Sequence, residues 1–248
     1  MIERAPPAGY ERIEAGRCTV VARSEYVEDA RALLAEGTLY EAAVRDLAAR
    51  TLDGRGAAYA IPLPSSGAQV VVRRNRHGGV FAPLTGTRFL RPSRAPQELE
   101  ISLRLTEAGV RTPEFVMYGL ERVYGVFCHA DVVTSEVEDS RDLSAYLHPD
   151  VSKNDRDAAW QATLALVATL NAAGARHHDL NVKNVLLSPG ANGLIAWALD
   201  VDRVVFGTPG SEEVRKGNAR RLLRSAIKWR EERGGVFAES DFRAADLV

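Results

Sequence analysis

An apolar run from Ala158 to Ala173, ended by Gly174 and followed by the β-type run Val185-Leu186-Leu187, leaves this chain little freedom in how it folds around residues 175 to 184. The run before Gly174 carries apolar residues nearly all round, which predicts a helix buried at the centre of a helical lobe. The β-type run would hold the intervening loop on a rigid element. That loop contains His177-His178-Asp179-Leu180-Asn181-Val182-Lys183-Asn184 and sets a carboxylate, Asp179, five positions before an amide, Asn184. A carboxylate held in this way can accept the proton of an attacking hydroxyl, and an amide oxygen can ligate a divalent cation. A second acidic cluster, Asp200-Val201-Asp202, follows downstream. Asp179 and Asn184 as mere turn caps would leave that second cluster unexplained. His178 is the variable position of the loop, and His177 is expected to pack and hydrogen-bond beneath it.

The chain's 248 residues suffice for one large domain or two lobes around a cleft. Hydrophobic residues make up 46%, charged residues 26%, and the formal net charge is −1, as in a globular protein in water. No apolar run approaches the roughly 18 residues that span a bilayer. Met1-Ile2-Glu3-Arg4-Ala5-Pro6-Pro7 lacks the apolar core of a secretory signal. The expected location is therefore cytoplasmic, with an option of peripheral attachment to the inner membrane discussed below. Cys18 and Cys128 are isolated, without metal-ligand spacing, and are expected to be thiols in a reducing compartment.

The lysines are Lys153, Lys183, Lys216 and Lys228, so the first 152 residues contain none. Any phosphate held by that part of the chain must be held by another cation.

Along the chain, residues 26 to 50 show helical spacing, with Leu33, Leu34, Leu39, Ala43, Leu47 and Ala48 on the expected buried side. Asp53-Gly54-Arg55-Gly56-Ala57 breaks this pattern. Ala58 to Ile61, a turn from Pro62 to Gly67 and Val70-Val71-Val72 then read as a hairpin. Gly54 and Gly56 suit either an ordinary turn or a loop covering phosphates. Arg73-Arg74-Asn75-Arg76-His77-Gly78-Gly79 is a basic loop, Pro96 to Leu105 is helical, Thr112-Pro113 ends it, and Val123 to Val133 is β-rich. After acidic Glu136 and Glu138, Ser140 to Leu147 starts a short helix, and the remainder is expected to be mainly helical. The lobe boundary falls near 134 to 140. The resulting organisation is a helical extension over 1–52, a β-rich lobe over 53–137 and a mainly helical lobe over 138–248.

Several motifs together resemble the small lipopolysaccharide-core sugar kinases, and most closely the 3-deoxy-D-manno-octulosonic acid (Kdo) kinases. They are Arg73 with Arg76-His77-Gly78-Gly79, Ser93-Arg94 with Glu98, His177-x-Asp179-Leu180-Asn181-x-x-Asn184, Leu199-Asp200-x-Asp202-Arg203, and Asn218-x-x-Arg221-Leu222-x-Arg224-Ser225-x-x-Lys228. The resemblance spans roughly residues 54 to 230. It implies an α+β, bilobal protein-kinase-like fold and transfer of phosphate from ATP, with Mg²⁺, to a hydroxyl of Kdo in the lipopolysaccharide inner core or a lipid A precursor.

By the same resemblance, Asp179 is the base or orienter of the sugar hydroxyl, and Asn184 and Asp200 are the Mg²⁺ ligands. Asn181 belongs to the catalytic set and stands where protein kinases carry Lys, which points away from peptide acceptors. Arg73 takes the place of the phosphate-binding strand lysine, as a guanidinium that forks onto two oxygens. Glu98, or else Glu100, would orient it. Gly54, Gly56, Glu136 and Val137 are assigned to the nucleotide. Duller readings stand beside these: Arg73 as a solvated strand-end charge next to Arg74, and Glu98 as an i, i+4 partner of Arg94. Two positions depart from the family: Asn171, where relatives tend to have His, and Val201, where an aromatic residue is usual.

Arg215 to Arg233 holds eight basic residues interleaved with Leu222, Leu223, Ala226, Ile227 and Trp229. Such a helix could dock on an anionic membrane surface, or pack its apolar stripe on the lobe and solvate its arginines, and the two are compatible. Nucleic acid is not expected as a partner, because the net charge is near zero and no aromatic platform is present. Two other functions remain: a catalytically silent kinase-like binding module, and a protein kinase. The latter is disfavoured by Asn181 and by the roughly fifteen residues between Asp200 and the basic helix, too few for a long activation segment and peptide platform.

Overall fold

The computed structural model describes residues 5–52, 58–75, 89–90, 94–123 and 127–237. The chain divides into two compact units, Met1–Glu100 with Glu114–Glu136, and Ile101–Pro113 with Val137–Val248.

The first unit contains β1 (Tyr10–Ala15), β2 (Cys18–Arg23), α1 (Val27–Ala35), α2 (Leu39–Arg45), β3 (Arg50–Leu52), β4 (Ala58–Pro62), β5 (Gln69–Arg74), β6 (Phe89–Leu90), the start of α3 (Ala95–Glu107), β7 (Phe115–Arg122) and β8 (Phe127–Ser135). The strands make one antiparallel sheet in the order β1-β2-β7-β8-β5-β4-β3, with β6 paired to β8. Strand alternation turns Val70 and Val72 of β5 toward the same core as Val133 and Met117, where they meet Ala30, Leu33, Leu39 and Ala43 of α1 and α2. Each such valine or leucine contributes on the order of 1.5–3 kcal/mol by leaving water. Arg74 shares that face and Arg73 takes the other. Helix α2 opens on a capping box, in which Thr38 Oγ1 accepts the Glu41 N–H at 3.2 Å and Glu41 Oε2 accepts the Thr38 N–H at 3.1 Å.

The helical reading of the leading segment holds only for α1 and α2, because Tyr10–Arg23 is a β-hairpin. Thr19-Val20-Val21-Ala22 pairs with β7 and buries Val20, Val21 and Ala22. Helical spacing also overran the end of α2. Asp46 is extended (ψ 124°) and its Oδ1 accepts the Ala48 N–H at 2.7 Å, so the chain leaves the helix and Leu47 and Ala48 lie exposed instead of buried.

The second unit contains β9 (Arg141–Asp142), α4 (Leu143–Tyr146), α5 (Lys153–Ala172), β10 (Ala175–His177), β11 (Val185–Gly190), β12 (Gly193–Ala198), β13 (Val204–Phe206) and α6 (Glu212–Arg233). Five short strands accompany its helices, as the sheet β12-β11-β9 and the pair β10-β13. Trp160, Val167 and Leu170 of α5 share a core with Leu180, Val182, Val185, Leu187 and with Leu222 and Ala226 of α6. Helix α5 is not buried all round: Ala158, Ala165, Ala168 and Ala172 face solvent. Alanine is the strongest helix former and costs little when exposed, so it lengthens the apolar pattern without needing a core. Gly174 ends the helix at φ +69°, where a Cβ would sit 2.5 Å from the Gly207 carbonyl oxygen. No helix among the described residues is long and apolar enough to cross a membrane.

The Thr38 hydroxyl serves both the α2 cap and the Arg74 Nη2 (2.7 Å). Thr38→Ala should therefore lose about 1–2 kcal/mol in urea unfolding. Leu47→Ser should stay within about 0.5 kcal/mol of wild type.

Candidate active site

The loop from β10 to β11 is held from beneath by His177, which is fully buried. Its backbone N–H donates to Asn218 Oδ1 (2.8 Å), and its Nδ1 accepts the Asp179 N–H (3.2 Å). Nε2 therefore carries the ring proton and donates it to the Leu199 carbonyl (2.9 Å). Burial pushes the imidazole pKa below its ordinary range, in keeping with this neutral tautomer, although the Leu199 bond and nearby aspartates pull the other way.

Asn181 is engaged within the loop. Its Nδ2 donates to the Asp179 carbonyl (2.9 Å) and, at 3.4 Å, to Asp179 Oδ1, while its Oδ1 accepts the N–H groups of Lys183 (2.9 Å) and Asn184 (3.2 Å). Asn184 also donates Nδ2 to the Asp179 carbonyl (2.9 Å). That bond fixes which way the amide points, and Asn184 Oδ1 has no hydrogen-bond partner among the described residues.

The Leu199 N–H donates to the Asn184 carbonyl (2.9 Å), so the Leu199–Asp200 segment is tied both to His177 and to Asn184. Asp200 is held at φ +52°, in the left-handed region that costs a residue with a Cβ on the order of 1 kcal/mol or more. Among the described residues no group of three His, Cys, Asp or Glu could enclose a metal ion. Asn184 and Asp200 both carry oxygen donors, on segments joined by the Leu199 N–H bond to the Asn184 carbonyl. This donor set fits Mg²⁺, which keeps several waters and takes further ligands from phosphates.

Helix α6 supports the loop through residues three and four apart on one face. Asn218, fully buried, accepts from the His177 N–H and donates Nδ2 to Asn171 Oδ1 and to the Ala175 carbonyl, both at 2.9 Å. Arg221 donates Nη2 to Asp179 Oδ1 (2.6 Å) and Nε to the His178 carbonyl (3.2 Å). Ser225 Oγ accepts the Val182 N–H (3.1 Å). Asp179 is thus gripped through one carboxylate oxygen, and Oδ2 has no partner among the described residues. Leu222 and Ala226 are buried in the unit's core, with Leu223, Ile227 and Trp229 packed against it, so the apolar stripe of α6 faces inward.

In the first unit the two adjacent arginines of β5 go to opposite faces of the sheet. Arg74 donates to both oxygens of buried Asp131 (2.8 and 3.3 Å) and lies over the Tyr40 ring. Arg73 pairs with Glu98 of α3 and donates Nη1 to Asn75 Oδ1 (2.6 Å). Glu98 is buried, whereas Glu100 is exposed. Arg73 is therefore an oriented guanidinium held by a buried carboxylate.

Of the other predicted site residues, Gly54 and Gly56 lie outside the described residues, as do Arg76 to Gly79 and Ser93. Both oxygens of the Glu136 carboxylate accept from one nitrogen, Arg50 Nη2 (2.8 and 2.7 Å), and the Val137 carbonyl accepts the Ser140 hydroxyl (2.6 Å). Sequence reasoning gave no role to Asn218, Arg221 or Ser225, although all three stood in the carboxyl-terminal pattern. Their signal was the i, i+3, i+7 spacing that puts polar groups on the inward side of an otherwise apolar stripe.

The sequence profile of the Lipopolysaccharide kinase (Kdo/WaaP) family matches residues 65–243. A 3-deoxy-D-manno-octulosonic acid kinase of Xanthomonas oryzae pv. oryzae is 30% identical over 199 residues, covering 78% of this chain and 76% of that one. One from Actinobacillus succinogenes is 28% identical over 198 residues, covering 78% and 80%. Among solved structures, WaaP in complex with acyl carrier protein aligns with a TM-score of 0.55 at 20% identity, covering 90% of this chain and 84% of that one, and shares the fold.

Removing the Asn218 side chain strands a buried N–H, a buried amide oxygen and a carbonyl, so Asn218→Ala should cost roughly 2–4 kcal/mol in urea unfolding. A loss below about 0.5 kcal/mol would show that the amide is dispensable. His177, neutral in the fold, protonates more readily in the unfolded chain. Its contribution is therefore complete above the ordinary imidazole pKa and is lost as pH falls below about 6.5. Unfolding free energies measured between about pH 7 and pH 5 should fall with a slope that His177→Gln reduces.

Proposed function

Because the chain belongs to the lipopolysaccharide kinase (Kdo/WaaP) family and is a phosphotransferase acting on an alcohol group, we propose that it transfers the γ-phosphoryl group of ATP to a hydroxyl of a 3-deoxy-D-manno-octulosonic acid residue in the lipopolysaccharide inner core or a lipid A precursor. The observation that carries the reading is the state of Asp179: one oxygen is tied to Arg221, and the other is open on a loop pinned by His177, Asn181 and Asn218.

Asp179 Oδ2 accepts the proton of the sugar hydroxyl as that oxygen bonds to the γ-phosphorus. The bond from phosphorus to the β–γ bridging oxygen breaks, and ADP departs with that electron pair. Asn184 Oδ1 and the Asp200 carboxylate would hold Mg²⁺, which when bound neutralises charge on the phosphate oxygens. Arg73, oriented by Glu98, would fork onto phosphate oxygens in the place of a lysine. Holding these groups before reaction, rather than forming bonds to the substrate, would supply most of the acceleration.

With its apolar stripe turned inward, α6 leaves Arg220, Arg224 and Lys228 exposed at four-residue spacing. We assign them to a peripheral, charge-driven contact with the anionic cytoplasmic face of the inner membrane, worth about 1 kcal/mol per residue near the surface.

The test is phosphate transfer by the purified protein to a Kdo-bearing lipid A precursor, with ADP release and product mass as readouts. Asp179→Asn should lower kcat by roughly 10²- to 10⁴-fold with little change in Tm, and chelation of Mg²⁺ should abolish transfer. ATP-dependent thermal stabilisation without transfer to any sugar would favour a silent binding module.

A further inference from the structure

The loop position two residues after Asp179, a lysine in protein kinases, is Asn181 here, and its amide is bound up inside the loop. The loop's own cation is directed elsewhere: Lys183 Nζ lies 3.2 Å from Asp142 Oδ2 and 5.2 Å from the centre of the Trp229 ring. On that evidence the loop gives Asp179 no positive charge.

A cation reaches Asp179 from forty-two residues away. Arg221 Nη2 lies 2.6 Å from Asp179 Oδ1, and its Nε is fixed by the His178 carbonyl. Two bonds at two nitrogens set the plane of the guanidinium, and Nη1 has no partner among the described residues. The anchorage is rigid as well. Asn218 and Ser225, on the same face of α6, tie the helix to the loop backbone before and after Asp179, so the elements carrying the guanidinium and the carboxylate are bonded to each other on both sides of the pair. Side chains of both Arg221 and Asp179 remain more than a quarter exposed, which leaves the pair within reach of a substrate.

We propose that Arg221 is the positioning residue of the transfer step, replacing the loop lysine: it turns Asp179 Oδ2 toward the acceptor hydroxyl and sets a fixed positive charge beside the transferring phosphoryl group. The inference rests on the kinase reading of the preceding section. A mere staple between α6 and the loop would need the hydrogen bonds but not the charge, and that difference can be measured.

The experiment uses the full chain with Mg²⁺-ATP and the Kdo-bearing acceptor. Arg221→Ala should lower kcat by about 10²-fold, as for loss of one preorganised charge-stabilising donor, while KM for ATP and the thermal shift produced by Mg²⁺-ADP stay close to wild type. Added methylguanidinium should restore kcat in a saturable way, and neutral, isosteric methylurea should not. Arg221→Lys, which keeps the charge and loses the fork, should retain more activity than Arg221→Gln, and this comparison stands in if the alanine variant fails to fold. Wild-type kcat in the folded alanine variant, equal rescue by methylurea, or equal activity of the lysine and glutamine variants would each overturn the proposal while transfer by the wild type stands. A wild type that transfers no phosphate removes the kinase reading and this inference with it.

Discussion

One buried amide holds the second unit's site together. Asn218 has no solvent to fall back on, so each of its polar atoms must find a partner inside the protein, and it finds three: the end of α5, the start of β10 and the backbone of His177. These are the three segments that must be in register for Asp179 to stand where it does. The residue at the end of α5 is Asn171, and its carboxamide oxygen accepts directly from Asn218. Asn171 is thus tied into the same network.

The same logic separates the two arginines of β5. Strand alternation alone sends Arg74 to the face covered by α1 and α2, where Asp131, Thr38 and Tyr40 enclose it, and Arg73 to the face where Glu98 waits. Arg74 has a structural task, and Arg73 is left oriented for another. Two identical neighbours in the sequence are distinguished by the parity of their positions.

Much of this was legible beforehand, and the reasons differ by residue. The loop from His177 to Asn184 could be placed because a helix ended by Gly174 precedes it and the β-type run at Val185 follows. The hairpin at Val70 could be read because β-branched residues follow a turn. The strands over Tyr10–Arg23 were not read, because β1 is an edge strand with Ile13 as its sole buried side chain and so shows almost no alternation. Leu47 was misplaced because apolar spacing continued past the point where Asp46 redirects the chain. The support from α6 was hidden for a different reason: a helix of many arginines reads as a solvated face, and only the fold shows that Arg221 turns back to the loop.

The phosphate role proposed for Arg73 has a consequence for how this protein would meet reactive small molecules. An ε-ammonium in a nucleotide pocket is a latent amine, and desolvation frees it to attack acyl or aldehyde groups carried there by a nucleotide analogue. Arg73 keeps its charge and has no such lone pair to offer, and no lysine stands anywhere in the first 152 residues to take its place. A reagent built to acylate that strand amine finds none here, and under the phosphate role proposed for Arg73 the lack of labelling at the strand would not report a lost site.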